Sequence, residues 1–179
     1  EEGFFAPANG ECYNLLEYGI SVDDRELSFV KTKVRTPKVY GLLTEIPINA
    51  TISYTIQVNS LENAEVWVGV ARGLSSWDGV YLVTKAGDNL SVRNVVNNVP
   101  VHTNRKYHAK EASGHYEFQF EIVGNQWNIS YDNSPANMFS DIALNFSPRY
   151  LFIGYRAYPE DSVTGNIDVR ISDLIIEER

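Results

Sequence analysis

The stretch FQFEIVGNQWNISYDN (118–133) alternates apolar and polar residues on both sides of a Gly-Asn pair, and no other segment constrains the fold as tightly. Gly124-Asn125 suits a two-residue hairpin loop, whose central positions take positive φ. Pairing Val123 with Gln126 then fixes the register. Ile122 faces Trp127, Phe120 faces Ile129 and Phe118 faces Tyr131, all on one side. Gln119, Glu121, Asn128 and Ser130 take the other side, because strand side chains alternate with period two. A one-residue slip would turn the whole apolar block to water, so Trp127 is expected in a core.

The same periodicity recurs along the chain. ATISYTIQV (50–58) sends Ala50, Ile52, Tyr54, Ile56 and Val58 one way and Thr51, Ser53, Thr55 and Gln57 the other. EVWVGVARG (65–73), GVYLVTK (79–85), LSVRNVV (90–96), YLFIGYRAY (150–158) and NIDVRISDLII (166–176) follow, and LSFVKTKV (27–34) with KVYGLLTEI (38–46) reads as a further pair. Gly, Asn, Asp, Pro and Ser punctuate these runs, and no amphipathic helix longer than two turns stands out. Short strands at this spacing predict an all-β fold, one antiparallel two-sheet sandwich over 1–179 with roughly a dozen strands.

Charge narrows the partners. A net charge of −8 opposes a polyanionic partner, since a nucleic-acid binder carries a basic stripe. The short HTNRKYHAK run (102–110) is expected to be a solvated loop. No stretch approaches the roughly 20 apolar residues that span a bilayer, so membrane insertion is not expected. The chain starts at Glu1 with no initiator Met or visible signal peptide, and reads as a mature or excised piece of a larger protein with other domains as neighbours. Cys12 is the single cysteine, which excludes an internal disulfide and any multi-cysteine zinc site. Asn-X-Ser/Thr triplets at Asn49, Asn89, Asn128 and Asn145 are no more informative than chance in so Asn-rich a chain.

Two strands are apolar on both faces. Val66, Val68 and Val70 form one row of EVWVGVARG, and Trp67, Gly69 and Ala71 the other. In RYLFIGYRAY, Leu151, Ile153 and Tyr155 oppose Tyr150, Phe152, Arg156 and Tyr158. A half-exposed antiparallel strand should have one polar side. Either another layer covers these second rows, or they line a concave, partly open surface. The order EVWVGVARG, GVYLVTKAGDNL, the 118–133 hairpin, RYLFIGYRA and GNIDVRISDLIIE resembles the concanavalin A-like lectin/glucanase superfamily, including laminin G-like modules and jelly-roll carbohydrate-binding modules. The resemblance covers strand order and apolar pattern over 40–176. It implies a two-sheet antiparallel jelly-roll β-sandwich whose concave sheet or rim loops carry a sugar site, often beside calcium.

The residues suited to such a site are aromatic and polar. Trp77, in the Gly-bounded loop GLSSWDG (73–79), is either a plug folded under the loop or a platform for the C–H face of a sugar ring. Asp78 accepts sugar hydroxyls or merely forms an Asp-Gly turn. Pairing 65–72 with 79–85 would put Trp67 and Tyr81 on one face, although a tryptophan in Trp67's place is more often simply core. Tyr150, Arg156 and Tyr158 extend that face. Arg156 offers a hydrogen-bond fork to vicinal hydroxyls or a uronic carboxylate, or else a surface salt bridge. Asp88, Asn89, Asp132, Asn133 and Asp161 are candidate calcium donors, each also a natural turn former, so no ligand set follows.

Catalytic signatures are absent from the pattern. The hydrolytic branch of the superfamily uses a Glu-x-Asp-x-x-Glu strand, which this chain lacks; the acidic cluster DDRE (23–26) falls at an expected turn. His102, His108 and His115 match no zinc spacing, and there is no Gly-x-Ser-x-Gly elbow or phosphate loop. The expectation is therefore no enzyme, but an extracellular or cell-surface lectin-like module binding an oligo- or polysaccharide. A structural or protein-interaction sandwich and a glycan-processing enzyme remain alternatives.

Overall fold

The computed structural model describes residues 14–23, 25–34, 39–73, 78–85, 89–97, 99–108, 114–132, 138–157 and 164–179. Thirteen strands among them form two antiparallel sheets. The seven-stranded sheet runs, edge to edge, β1 (Ile20–Asp23), β2 (Glu26–Val34), β13 (Gly165–Glu178), β4 (Ala50–Glu62), β9 (Gly114–Val123), β10 (Gln126–Tyr131) and β11 (Met138–Ala143). The six-stranded sheet runs β3 (Tyr40–Glu45), β12 (Tyr150–Ala157), β5 (Ala64–Ala71), β6 (Gly79–Lys85), β7 (Asn89–Val96) and β8 (Val99–His108). The chain changes sheet between β2 and β3, β3 and β4, β4 and β5, β8 and β9, β11 and β12, and β12 and β13. The 27–34 and 38–46 strands, close in sequence, thus belong to opposite layers.

The hairpin has the expected register: Val123↔Gln126, Ile122↔Trp127, Phe120↔Ile129, Phe118↔Tyr131. Only Gly124 of the two loop residues has positive φ, at 57°, which fits a II′ turn with Gly first. Trp127 is fully buried, its ring set edge-on to Phe120 at 4.9 Å. Ala50, Ile52, Tyr54, Ile56 and Val58 meet it from β4 in the main core. The six-stranded sheet contributes Val66, Val68, Val70, Leu82, Leu151, Ile153 and Tyr155. Burial of one such large side chain is worth about 1.5–3 kcal/mol, so these inner rows fix the register of both sheets.

Several register shifts interrupt the ladders, and two of them change the spacing of buried residues. In β11, Phe139 and Ile142 both enter the core although they are three residues apart; Asp141 between them takes φ 55° and its N–H donates to Asn128 Oδ1 at 2.9 Å. That strand, like the short β1, was not expected. In β13 the buried series Ile167, Val169, Ile171 resumes at Leu174 and Ile176, with Asp173 at φ 53° in the bulge. The HTNRKYHAK run is a correction of another kind. Residues 102–108 lie in β8, paired to β7 with Arg93 opposite His102 and Asn89 opposite His108, rather than in a loop.

Candidate functional site

The six-stranded sheet is apolar on both sides. All eight residues of β5 are buried, as a strand covered on both faces requires. Its outer face holds a second cluster of Val39, Leu43, Trp67, Ala71, Tyr81, Val83, Val95 and Phe152, with Tyr150 packed against it. Gly69 lies directly across from Tyr81, and Trp67 from Val83. The Trp67 and Tyr81 rings therefore meet at 5.6 Å, and Phe152 sits edge-on to Tyr81 at 5.5 Å. Gly69 and Gly79 make room for the Tyr81 ring: a Cβ on Gly79 would come within 2.8 Å of its hydroxyl.

Trp67 and Tyr81 do share a face, but both are fully buried, which corrects the expectation that they stand open to a saccharide. The physical reason is that glycines beneath them let the rings lie down and pack on each other. Burial, and secondarily the Asp78 carboxylate, push the Tyr81 hydroxyl far above the usual phenol range, so it stays protonated at neutral pH. Tyr150 and Arg156 are half-buried at the two ends of β12, about 20 Å apart at strand rise, and do not converge. Trp77 and Tyr158 lie outside the described residues.

Arg156 belongs to a charged group that the sequence reading passed over. Glu65 is the buried charged residue of this face, at 0% exposure. Its Oε1 meets Arg93 Nη2 at 3.0 Å, and its Oε2 accepts from Arg93 Nη1 at 3.3 Å and from Trp67 Nε1 at 3.1 Å. The Arg93 guanidinium also lies 5.5 Å from the centre of the Trp67 ring, within cation–π range. Lys85 and Arg156 are the cross-strand partners of Glu65 on either side. Arg93 is thus the ion-pair partner of this buried carboxylate, and both cross-strand neighbours of Glu65 are cationic residues. A sequence signal existed: Glu65 and Arg93 are polar residues in rows otherwise made of Trp, Tyr and Val.

Of the calcium candidates, Asp132 follows β10 with φ at 51° and pairs across to β9, its N–H donating to Glu117 O at 2.8 Å and its Oδ1 accepting from Glu117 N–H at 3.2 Å. Asp88, Asn133 and Asp161 lie outside the described residues, and Asn89 is described in its backbone alone. Among the described residues, no three His, Cys, Asp or Glu side chains gather closely enough to hold a metal ion.

No protein-family model matches this sequence, and no curated protein does. Solved structures match over nearly the whole chain. A family 7 alginate lyase variant in complex with product superposes with a TM-score of 0.66 at 9% identity, covering 98% of this chain and 94% of that one. The alginate lyase AlgAT5 of polysaccharide lyase family 7 gives 0.64 at 12%, covering 98% and 93%. Sheep galectin-11, in complex with glycerol, gives 0.53 at 13%, covering 80% and 99%. The fold is a concanavalin A-like jelly roll. At such identities the likeness shows fold alone. It nonetheless overturns the expectation of a chain without catalysis, because enzymes are built on this same jelly roll. The missing Glu-x-Asp-x-x-Glu spacing bears on one hydrolytic mechanism and carries no information about elimination.

Proposed function

We propose that the chain engages an acidic polysaccharide, of the uronate-bearing kind, at the Glu65 end of the outer face of the six-stranded sheet. The observation that carries this is the gathering of three cationic residues, Arg93, Lys85 and Arg156, at that end of the face. Arg93 compensates Glu65, and Arg156 and Lys85 flank it, on a chain whose net charge is −8. Arg156 suits a sugar carboxylate because its planar fork matches that group, with Lys85 as a mobile point charge. Trp67 acts from beneath, anchoring Arg93 and Glu65 rather than stacking on a ring. Tyr150 and Asp78 mark the opposite end of the face, so a polymer fits the layout better than a single sugar. The alginate lyases and the galectin that share the fold agree with a carbohydrate partner. A polymer of this type implies an extracellular or cell-surface setting.

Affinity electrophoresis through gels containing a polyuronate or a neutral glucan tests the reading. Retardation by the polyuronate alone, weakening with salt, is expected. Arg156→Ala should weaken it by about tenfold, the worth of a charge-assisted hydrogen bond. Equal retardation by the neutral glucan, or no change in Arg156→Ala, would overturn it. Eliminative cleavage is the second reading, favoured by the lyase neighbours, and appears as ultraviolet absorbance of a new sugar double bond.

A further inference from the structure

The outer side of the seven-stranded sheet carries a different array. Residues directly opposite one another in a ladder share a side, so the register sets Ile175, Ser53, Gln119 and Ser130 in one row across β13, β4, β9 and β10. Ser172, Thr55 and Glu117 form the next row. Neighbouring positions lie about 4.8 Å apart across the strands and about 6.8 Å apart along them. The rows point away from the core, because Ile52, Tyr54, Phe118 and Ile129, their chain neighbours, are buried in it. A hollow of about 190 Å³ lies here, lined by Ser53, Thr55, Glu117, Gln119 and Ser130, with Asp173 and Ile175 on its β13 side.

Two features set this hollow apart from a merely wetted sheet face. Ser53, Thr55, Gln119 and Ser130 are half-buried, yet among the described residues none of these side chains has a hydrogen-bond partner, and the Glu117 carboxylate has no ion-pair partner. The register change between Ser172 and Ile175 also turns an aliphatic side chain outward, so that Ile175 stands 51% exposed beside Ser53. We infer that the hollow holds a single uncharged hexose ring. The three hydroxyls and the Gln119 amide each donate and accept, as sugar hydroxyls do, and the Glu117 carboxylate accepts. Ile175 offers the apolar wall against which the C–H face of the ring packs. The charged lining residues, Glu117 and Asp173, are both acidic, so a uronate ring meets like charge. The site lies on the opposite outer side of the sandwich from Glu65 and does not rest on the acidic-polysaccharide reading. A handful of hydrogen bonds to one ring gives a dissociation constant of about 10 mM, so a gel holding less glucan than that does not hold the chain back.

Amide NMR titration of the intact chain with methyl glucoside, glucuronate and tetrahydropyran, the bare ring without hydroxyls, tests the inference. Saturable shifts with methyl glucoside, centred on Ser53, Gln119 and Ser130, are expected, with glucuronate weaker by about threefold or more and no saturation by tetrahydropyran. Gln119→Ala should weaken methyl glucoside by about fivefold, and the smaller change Ser130→Ala by about threefold. Glu117→Gln keeps an acceptor while removing the charge, and should narrow the gap between glucuronate and methyl glucoside. The inference is overturned if methyl glucoside does not saturate or its shifts fall elsewhere. It is equally overturned if glucuronate or tetrahydropyran binds as tightly, or if Gln119→Ala and Ser130→Ala leave the affinity unchanged.

Discussion

Removing the cation from a buried carboxylate gives the sharpest test of the charged group. Glu65 is 0% exposed and the Arg93 side chain only 12%, so little water remains to solvate the orphan. In Arg93→Met the carboxylate loses both guanidinium contacts, at 3.0 and 3.3 Å, and keeps the Trp67 N–H at 3.1 Å. Breaking a buried pair from one side costs about 3–5 kcal/mol. Lys85 and Arg156 lie across from Glu65 and offset part of this, which puts the expectation near the lower end, about 3 kcal/mol. The double variant Arg93→Met/Glu65→Leu should recover most of that loss, because apolar groups of similar volume replace such pairs at little cost. Urea unfolding followed by tryptophan fluorescence measures all the corners once Glu65→Leu is included, and the cycle gives the coupling directly. A cost below about 1 kcal/mol for Arg93→Met, or a double variant worse than the single, would refute the assignment of Arg93 as the compensating charge.

Other outcomes follow from the packing. Trp127→Ala should cost about 3–5 kcal/mol in the same assay. Trp127→Phe should cost clearly less than Trp127→Ala, because it leaves a smaller cavity and the buried indole N–H has no hydrogen-bond partner among the described residues. Gly69→Ala places a Cβ within 2.6 Å of the Tyr81 Cα, so backbone must move; a loss of about 1–3 kcal/mol and a shifted near-ultraviolet circular dichroism signal are expected. Burial raises the hydroxyls of both Tyr54 and Tyr81 above their unfolded values. Their folded forms retain protons that the unfolded chain releases above about pH 10, so stability is intact below that pH and falls above it. The slope is about 1.4 kcal/mol per pH unit for each tyrosine, and Tyr81→Phe should remove one share of it in alkaline denaturation monitored by phenolate absorbance.

Local alternation and turn chemistry determined most of the strands, the hairpin register and the place of Trp127, because a period of two leaves one self-consistent way to bury six large side chains. Those rules reach no further than the period itself. A positive-φ residue at Asp141 or Asp173 resets it, so β11 escaped notice and the change of face within β13 was not legible. The HTNRKYHAK run reads as loop because an edge strand needs no apolar row. The second rows of β5 and β12 were legible as apolar, yet whether their rings stand open or lie packed depends on glycines across the strand, which only the pairing of Gly69 with Tyr81 reveals. The charged group is the clearest case. Glu65, Lys85, Arg93 and Arg156 come from four strands, and it takes the order β12-β5-β6-β7 to set Arg93 against the carboxylate and a cationic residue on each strand beside it. Sequence dictates which side of a strand a residue occupies; the tertiary arrangement alone decides which strands stand beside it, and electrostatics depends on that neighbourhood.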